Sequence, residues 1–387
     1  MVPFVRIIAG LAIVVLFAVQ PGVASPYPAV YAFGDSLSDS GNISTLTFGL
    51  VPRPPYWNGR FSNGPVWVED LASCLGAGPL RPSLQGGTDF AYGGGETGTT
   101  LVHRANQLDL PSQLAQFRSR VPAPQPGALY TLWAGGQDMI DVLSTPGLTP
   151  ALAAASVAAS VRNVDSFVTS LAGRGAKNLL VLNLPDLGRT PLARLAGAGP
   201  SAEATLLTQW YNASLTSSLQ SLAGSLGLDL RIVDTFTLLN NAVSNPGAFG
   251  LANVTDRCWT GNLLGSGGSL CSPITAVQDM YLFWDDRHPT ERVHAFLALA
   301  AAAALSSTPG ATADAVVSAN TPDPPAAAAA IPKPGTPALP GADAIPEPGT
   351  PALLGVGLAI LALSVAAPSL RRWAWCPATR RLRSDRP

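Results

Sequence analysis

The sequence predicts an α/β domain whose parallel sheet is covered by helices on both faces, flanked by two terminal segments that stand outside the fold. Three features predict it. Short, continuous apolar runs end abruptly in Gly, Pro or Asp, as strands buried on both faces do. Long stretches with Leu, Val and Ala at helical spacing separate those runs. The polar clusters fall directly after the runs, at the strand ends where such sheets build their sites.

The amino terminus reads as a secretory signal over residues 1–25. Arg6 precedes an unbroken apolar run over 7–19, and Gly22, Ala24 and Ser25 supply the small residues of a cleavage site near Ser25. The run is shorter than the ~20 residues a permanent span requires. The folded domain is predicted over 26–305. Its first strand, 29–33, feeds Gly34 and Asp35, which have turn chemistry. Further strands are predicted at 129–134, 179–184 and 230–233, and the clearest helices at 151–171, 202–226 and 291–305. Residues 306–351 shift to Ala, Pro, Gly and Thr and carry a near-repeat beginning at Ile331 and again at Ile345. Such a stretch is too poor in large side chains to form a core, and its proline keeps it extended, so it is expected to be a spacer. The last segment, 352–387, combines an apolar run over 352–367 with Arg371, Arg372, Arg380, Arg381, Arg383 and Arg386, the pattern of a short membrane segment with a positive cytoplasmic flank.

With 23 basic and 24 acidic residues the net charge is -1, which gives no attraction for nucleic acid. Of the four cysteines, Cys258 and Cys271 bracket a Gly/Ser-rich loop and are expected to pair in an exported chain, while Cys74 is expected to be a buried thiol on a helix.

Ser36 follows Gly34 and Asp35 at the end of the first strand, where a hydroxyl meets solvent. A serine hydroxyl attacks only when a base removes its proton, and the chain has three histidines. His288 stands just before the last helix, with Asp285 three residues earlier, a spacing that lets a tight turn fold the carboxylate onto the imidazole. Asp286 is the less favoured orienter. Gly-Asp-Ser alone is a common turn and Asp-x-x-His alone a common helix start, but both in this order on strand ends favour nucleophilic catalysis. His103 lies in a polar stretch without evident partners and reads as a surface residue, and His294 reads as a packing residue. Asp35 and Asp138 are expected to shape their loops through backbone N–H groups. No set of metal ligands and no phosphate loop stand out, and Gly93-Gly94-Gly95 lacks the dinucleotide spacing, so no cofactor or metal is expected.

The chain resembles the GDSL (SGNH) esterases and lipases, in the branch of secreted lecithinase- and haemolysin-like proteins. The resemblance rests on five blocks in order: 33–42 around Ser36, 89–95 with its three glycines, 132–138, 245–251, and 284–290 around His288. It implies a three-layer α/β/α sandwich with a flavodoxin-like parallel sheet. It further implies that Ser36 attacks an acyl ester, His288 acts as base and Asp285 orients it. The oxyanion hole it implies comprises the Ser36 N–H, an N–H from the glycine block at Gly94, with Gly93 or Gly95 as alternatives, and an asparagine side chain. This chain has Gln137 in place of that asparagine, which keeps the amide donor but adds a torsion, so slower turnover is expected. The tail resembles a PEP-CTERM sorting signal, carried by Ile345-Pro-Glu-Pro-Gly, the apolar run and the arginines. That likeness implies export, transient anchoring, and handling by sorting machinery of the inner membrane. The expected partner is a small-molecule, lipid or polysaccharide acyl ester acted on by a monomer in the cell envelope or outside it. The competing expectation is a weak or inactive matrix-associated binding protein on the same scaffold.

Overall fold

The computed structural model describes residues 25–306. In chain order the elements are β1 (Val30–Gly34), α1 (Asn42–Leu46), α2 (Trp67–Leu75), α3 (Leu110–Arg120), β2 (Leu129–Trp133), α4 (Gly136–Leu143), α5 (Pro150–Ala172), β3 (Asn178–Leu182), α6 (Pro191–Ala196), α7 (Ala198–Leu226), β4 (Asp229–Val233), α8 (Thr235–Ser244), β5 (Asn253–Arg257), α9 (Thr275–Gln278), β6 (Tyr281–Phe283) and α10 (Glu291–Ser306). The four strands expected from the sequence form one parallel sheet in the order β1-β2-β3-β4.

A fifth segment runs along the free edge of β1. Ala32 N donates to Thr88 O, Phe90 N to Ala32 O and Tyr92 N to Gly34 O, so residues 88–92 take the place of an edge strand. With it the sheet has the flavodoxin-like order, the second strand lying outside the first. Every residue of β1 and β2 is buried, because helices cover both faces. On one face α2 packs against α10; on the other α5 lies between α3 and α7, giving the α/β/α sandwich.

Apolar burial holds the layers together. Phe33 stacks on Phe90 and meets Phe117 and Phe167 edge-on, while Trp67 meets Trp133 edge-on. Gly34 sits at φ +136°, and a Cβ there would lie 1.9 Å from Trp133 O, so only glycine lets β1 pass β2 and turn.

The β5–β6 pair is a parallel ribbon that the sequence does not announce. Its backbone continues into Cys258 and Trp259, whose N–H groups donate to Phe283 O and Trp284 O. This ribbon holds the 284–288 turn at the sheet edge. Cys258 and Cys271 are joined by a disulfide beside it. Cys74, in contrast, is disulfide-bonded rather than the free thiol expected. No helix among the described residues is long and apolar enough to cross a membrane. The segments read as secretory signal, spacer and sorting tail lie outside the described residues.

Candidate active site

The turn after β1 is fixed by carboxylates. Asp35 Oδ1 accepts from Leu37 N. Asp39 accepts from Gly41, Asn42 and Ile43 N and, across the edge, from Gly93 N at 2.8 Å. Asp89 accepts from the backbone and hydroxyl of Ser40, and Asn42 Nδ2 donates to Asp89 O and Ala91 O. These bonds clamp the serine turn to the glycine block. Burial pushes the carboxyls of Asp35 and Asp39 up to about 7 and about 6 against the N–H groups they accept, and drives Asp89 well above the usual range.

Ser36, half-buried at the rim, places Oγ 2.7 Å from His288 Nε2. His288 Nδ1 is 2.7 and 2.9 Å from the two oxygens of Asp285. Asp285 Oδ1 also accepts from Arg287 N and His288 N, so the turn itself aims the carboxylate. Burial alone would raise the Asp285 carboxyl; the adjacent His288 and these N–H groups instead bring it down to about 2. Asp286 pairs with Arg287 Nε at 2.9 Å and takes no part.

Two contacts are absent from the sequence reading. Tyr56 donates its hydroxyl to Asp285 Oδ2 at 2.7 Å, and the Phe61 ring lies 5.3 Å from the imidazole. Both sit in a proline-rich loop with no periodic signature.

The groups expected to form an oxyanion hole separate by their partners. Gly93 N is spent on Asp39 and Gly95 N on Tyr92 O. The N–H groups of Ser36 and Gly94 meet no protein acceptor among the described residues, and Gly94 is exposed at φ +77°. Gln137, in the first turn of α4, donates Nε2–H to Asp141 Oδ1 at 2.7 Å, which commits one of its two amide hydrogens. Asp138 accepts from Thr97 N, Thr97 Oγ1 and Ser160 Oγ, anchoring α4.

His103 departs from expectation. It is 2.8 Å from both Glu96 Oε1 and Asp109 Oδ2, with its side chain only 14% exposed. His294 is buried and accepts from Trp67 N. An apolar cleft opens beside the serine and histidine turns, lined among others by Leu37, Trp133, Leu239, Phe249, Pro289 and Phe296.

The GDSL-like Lipase/Acylhydrolase family model matches residues 30–301, nearly the whole described domain. The chain belongs to that family. It is 27% identical over 335 residues to a phosphatidylcholine-sterol acyltransferase of Aeromonas hydrophila, covering 76% of this chain and 95% of that one. An anther-specific proline-rich protein of Arabidopsis thaliana is 28% identical over 318 residues, which span 69% of this chain but only 59% of the plant protein. A GDSL esterase/lipase of the same plant is 26% identical over 313 residues, covering 70% of this chain and 78% of its own. The extracellular lipase of Streptomyces rimosus aligns over 71% of this chain and 99% of its own, at 16% identity and a TM-score of 0.38. Family membership makes this GDSL protein a carboxylic ester hydrolase.

Proposed function

We propose that this GDSL hydrolase cleaves lipid acyl esters outside the cytoplasm through an acyl-serine intermediate formed on Ser36. The observation that carries the reading is the continuous chain Ser36 Oγ, His288, Asp285, with 2.7 Å at the first contact and 2.7 Å at the second. Ser36 Oγ attacks the ester carbonyl carbon while its proton passes to His288 Nε2. The carbonyl oxygen becomes an oxyanion, which the N–H groups of Ser36 and Gly94 and the remaining amide hydrogen of Gln137 receive. Collapse breaks the bond to the leaving alcohol, which takes the proton from His288. Water then attacks the acyl-serine with His288 again as base, releasing the acid and restoring Ser36.

Asp285 keeps its negative charge throughout, fixing the tautomer with Nδ1–H and stabilising the imidazolium. The apolar cleft beside Leu37 and Pro289 suits an acyl chain, and the phospholipid-to-sterol acyltransferase among the relatives favours a lipid donor. Two observations support export: the signal pattern of residues 1–25, and disulfides at Cys258–Cys271 and Cys74, which persist in oxidising compartments.

A second reading has one observation in its favour. Gln137 spends an amide hydrogen on Asp141, so the scaffold could be a weak enzyme retained for binding. The deciding experiment is hydrolysis of p-nitrophenyl acetate and longer acyl homologues by the purified chain beside Ser36→Ala. Turnover that vanishes with the serine supports the ester-cleaving reading; equal background rates support the binding one.

A further inference from the structure

On the far side of Gln137 the loops after the glycine block bring together groups that the ester chemistry does not use. Glu96, 3% exposed, follows Gly95; His103 and Asp109 come from the loop leading into α3; Asp141 lies one turn along α4 from Gln137. Ligand atoms of Glu96, His103 and Asp141 all lie within 4.8 Å of one another. We propose that these three side chains form a binding site for one first-row divalent transition cation, zinc or manganese, adjoining the ester-cleaving centre.

Three observations carry it. First, Glu96 Oε2 is buried without a hydrogen-bond partner, while the Asp141 carboxyl faces the Glu96 carboxyl. Two facing carboxyls require a cation or a shared proton between them. Among the described residues no arginine or lysine pairs with Glu96, Asp109, Asp138 or Asp141, and His103 is the sole basic partner.

Second, the remaining carboxylates are already satisfied. Asp109 accepts from Glu96 N, Asn106 N and His103 Nε2, and Asp138 from Thr97 and Ser160. The unfilled acceptor capacity is therefore confined to Glu96 and Asp141.

Third, His103 is arranged as metal-bound histidines are. One ring nitrogen meets a buried carboxylate, Asp109 Oδ2 at 2.8 Å, which favours a proton on Nε2; an ion that displaces the proton shared by Nδ1 and Glu96 Oε1 then meets the Nδ1 lone pair. Two ligands at right angles on an ion at ~2.1 Å are separated by about 3 Å, and the Nδ1–Oε1 separation is 2.8 Å. Ligands opposite each other on such an ion stand about 4.2 Å apart, and the three ligand atoms all lie within 4.8 Å of one another, so small side-chain rotations close the set. One imidazole with two carboxylates suits zinc or manganese, whereas calcium prefers oxygen alone. Partial exposure of His103 and Asp141 provides the route in. An ion on Asp141 also holds the carboxylate that receives the Gln137 amide.

The test is titration of the chelator-treated full chain with ZnCl₂, MnCl₂ and CaCl₂ in separate experiments, by calorimetry and, for manganese, by loss of the free-ion paramagnetic signal. One zinc or manganese ion should bind per chain at micromolar concentration, with calcium at least tenfold weaker. Asp141→Asn and His103→Gln should each weaken binding by tenfold or more with an unchanged circular dichroism spectrum; Asp109→Asn should weaken it about tenfold through the histidine. Should Glu96→Gln fail to fold, the more exposed Asp141→Asn decides. His288→Ala must leave the stoichiometry at one, which separates this site from an ion on the Ser36–His288 pair. Absence of saturable binding, or binding undiminished in both Asp141→Asn and His103→Gln, overturns the proposal and leaves a shared proton between the two carboxyls.

Discussion

Asp285→Asn isolates the function proposed for the turn at residue 285 with little change in shape. Oδ1 of this residue accepts from two backbone N–H groups, Arg287 and His288, which a side-chain amide oxygen can still satisfy. The amide nitrogen is then forced to the Oδ2 side, where the Tyr56 hydroxyl and His288 Nδ1 both stand 2.7 Å away. An N–H pointing at Nδ1 makes that nitrogen the acceptor and moves the imidazole proton to Nε2. Nε2–H then faces Ser36 Oγ across 2.7 Å and cannot take its proton. The wrong tautomer costs on the order of 10⁴ in kcat, or about 5.5 kcal/mol of barrier, in serine hydrolases built this way. The assay is kcat and KM for p-nitrophenyl butyrate at pH 7.5, with circular dichroism confirming the fold. A loss below tenfold in the folded variant refutes the assignment of Asp285 as the orienting carboxylate.

Two further outcomes follow from the same geometry. Gln137→Ala should lower kcat by about 10²-fold with KM nearly unchanged, and Gln137→Asn should exceed wild-type turnover, since the shorter amide has one torsion fewer to fix; turnover unchanged or lower in the asparagine variant contradicts the strained-donor reading. An asparagine variant as slow as the alanine one contradicts the donor assignment. Burial holds the Asp35 carboxyl at about 7 against an ordinary 3.8, so the folded state keeps a proton that the unfolded chain loses. That contribution is fully present below pH 3.8 and is lost progressively as pH rises through about 7; the melting temperature should therefore fall between pH 3.8 and about 7, and fall less in Asp35→Asn. Equal slopes in both proteins would remove Asp35 as the cause.

The parts of the fold legible in the sequence are those whose burial is complete. β1 and β2 are apolar at nearly every position because both faces are covered, and α5, α7 and α10 expose the expected helical period. β5 escapes because its sequence, Asn-Val-Thr-Asp-Arg, is half-exposed and polar, so neither alternation nor a continuous apolar run marks it. The 88–92 edge escapes because Asp89 turns inward to bind Ser40 and Ala91, which looks like a loop in one dimension. Ser36, Asp285 and His288 were visible because they sit beside strand and helix ends with short local spacing. Tyr56 was not, since 229 residues separate it from Asp285. His103 was misread for a related reason: its partners Glu96 and Asp109 lie seven residues before and six after it, without helical or strand register to connect them.

Covalent capture tests the central claim most directly. The full chain is treated with a p-nitrophenyl alkylphosphonate, which a serine activated by a neighbouring imidazole attacks, and the adduct is located by mass spectrometry of peptides. One phosphonyl group on Ser36, formed in parallel with loss of esterase activity and absent from His288→Ala, is the predicted result. A chain that hydrolyses esters yet stays unlabelled, or is labelled at a residue other than Ser36, contradicts the account.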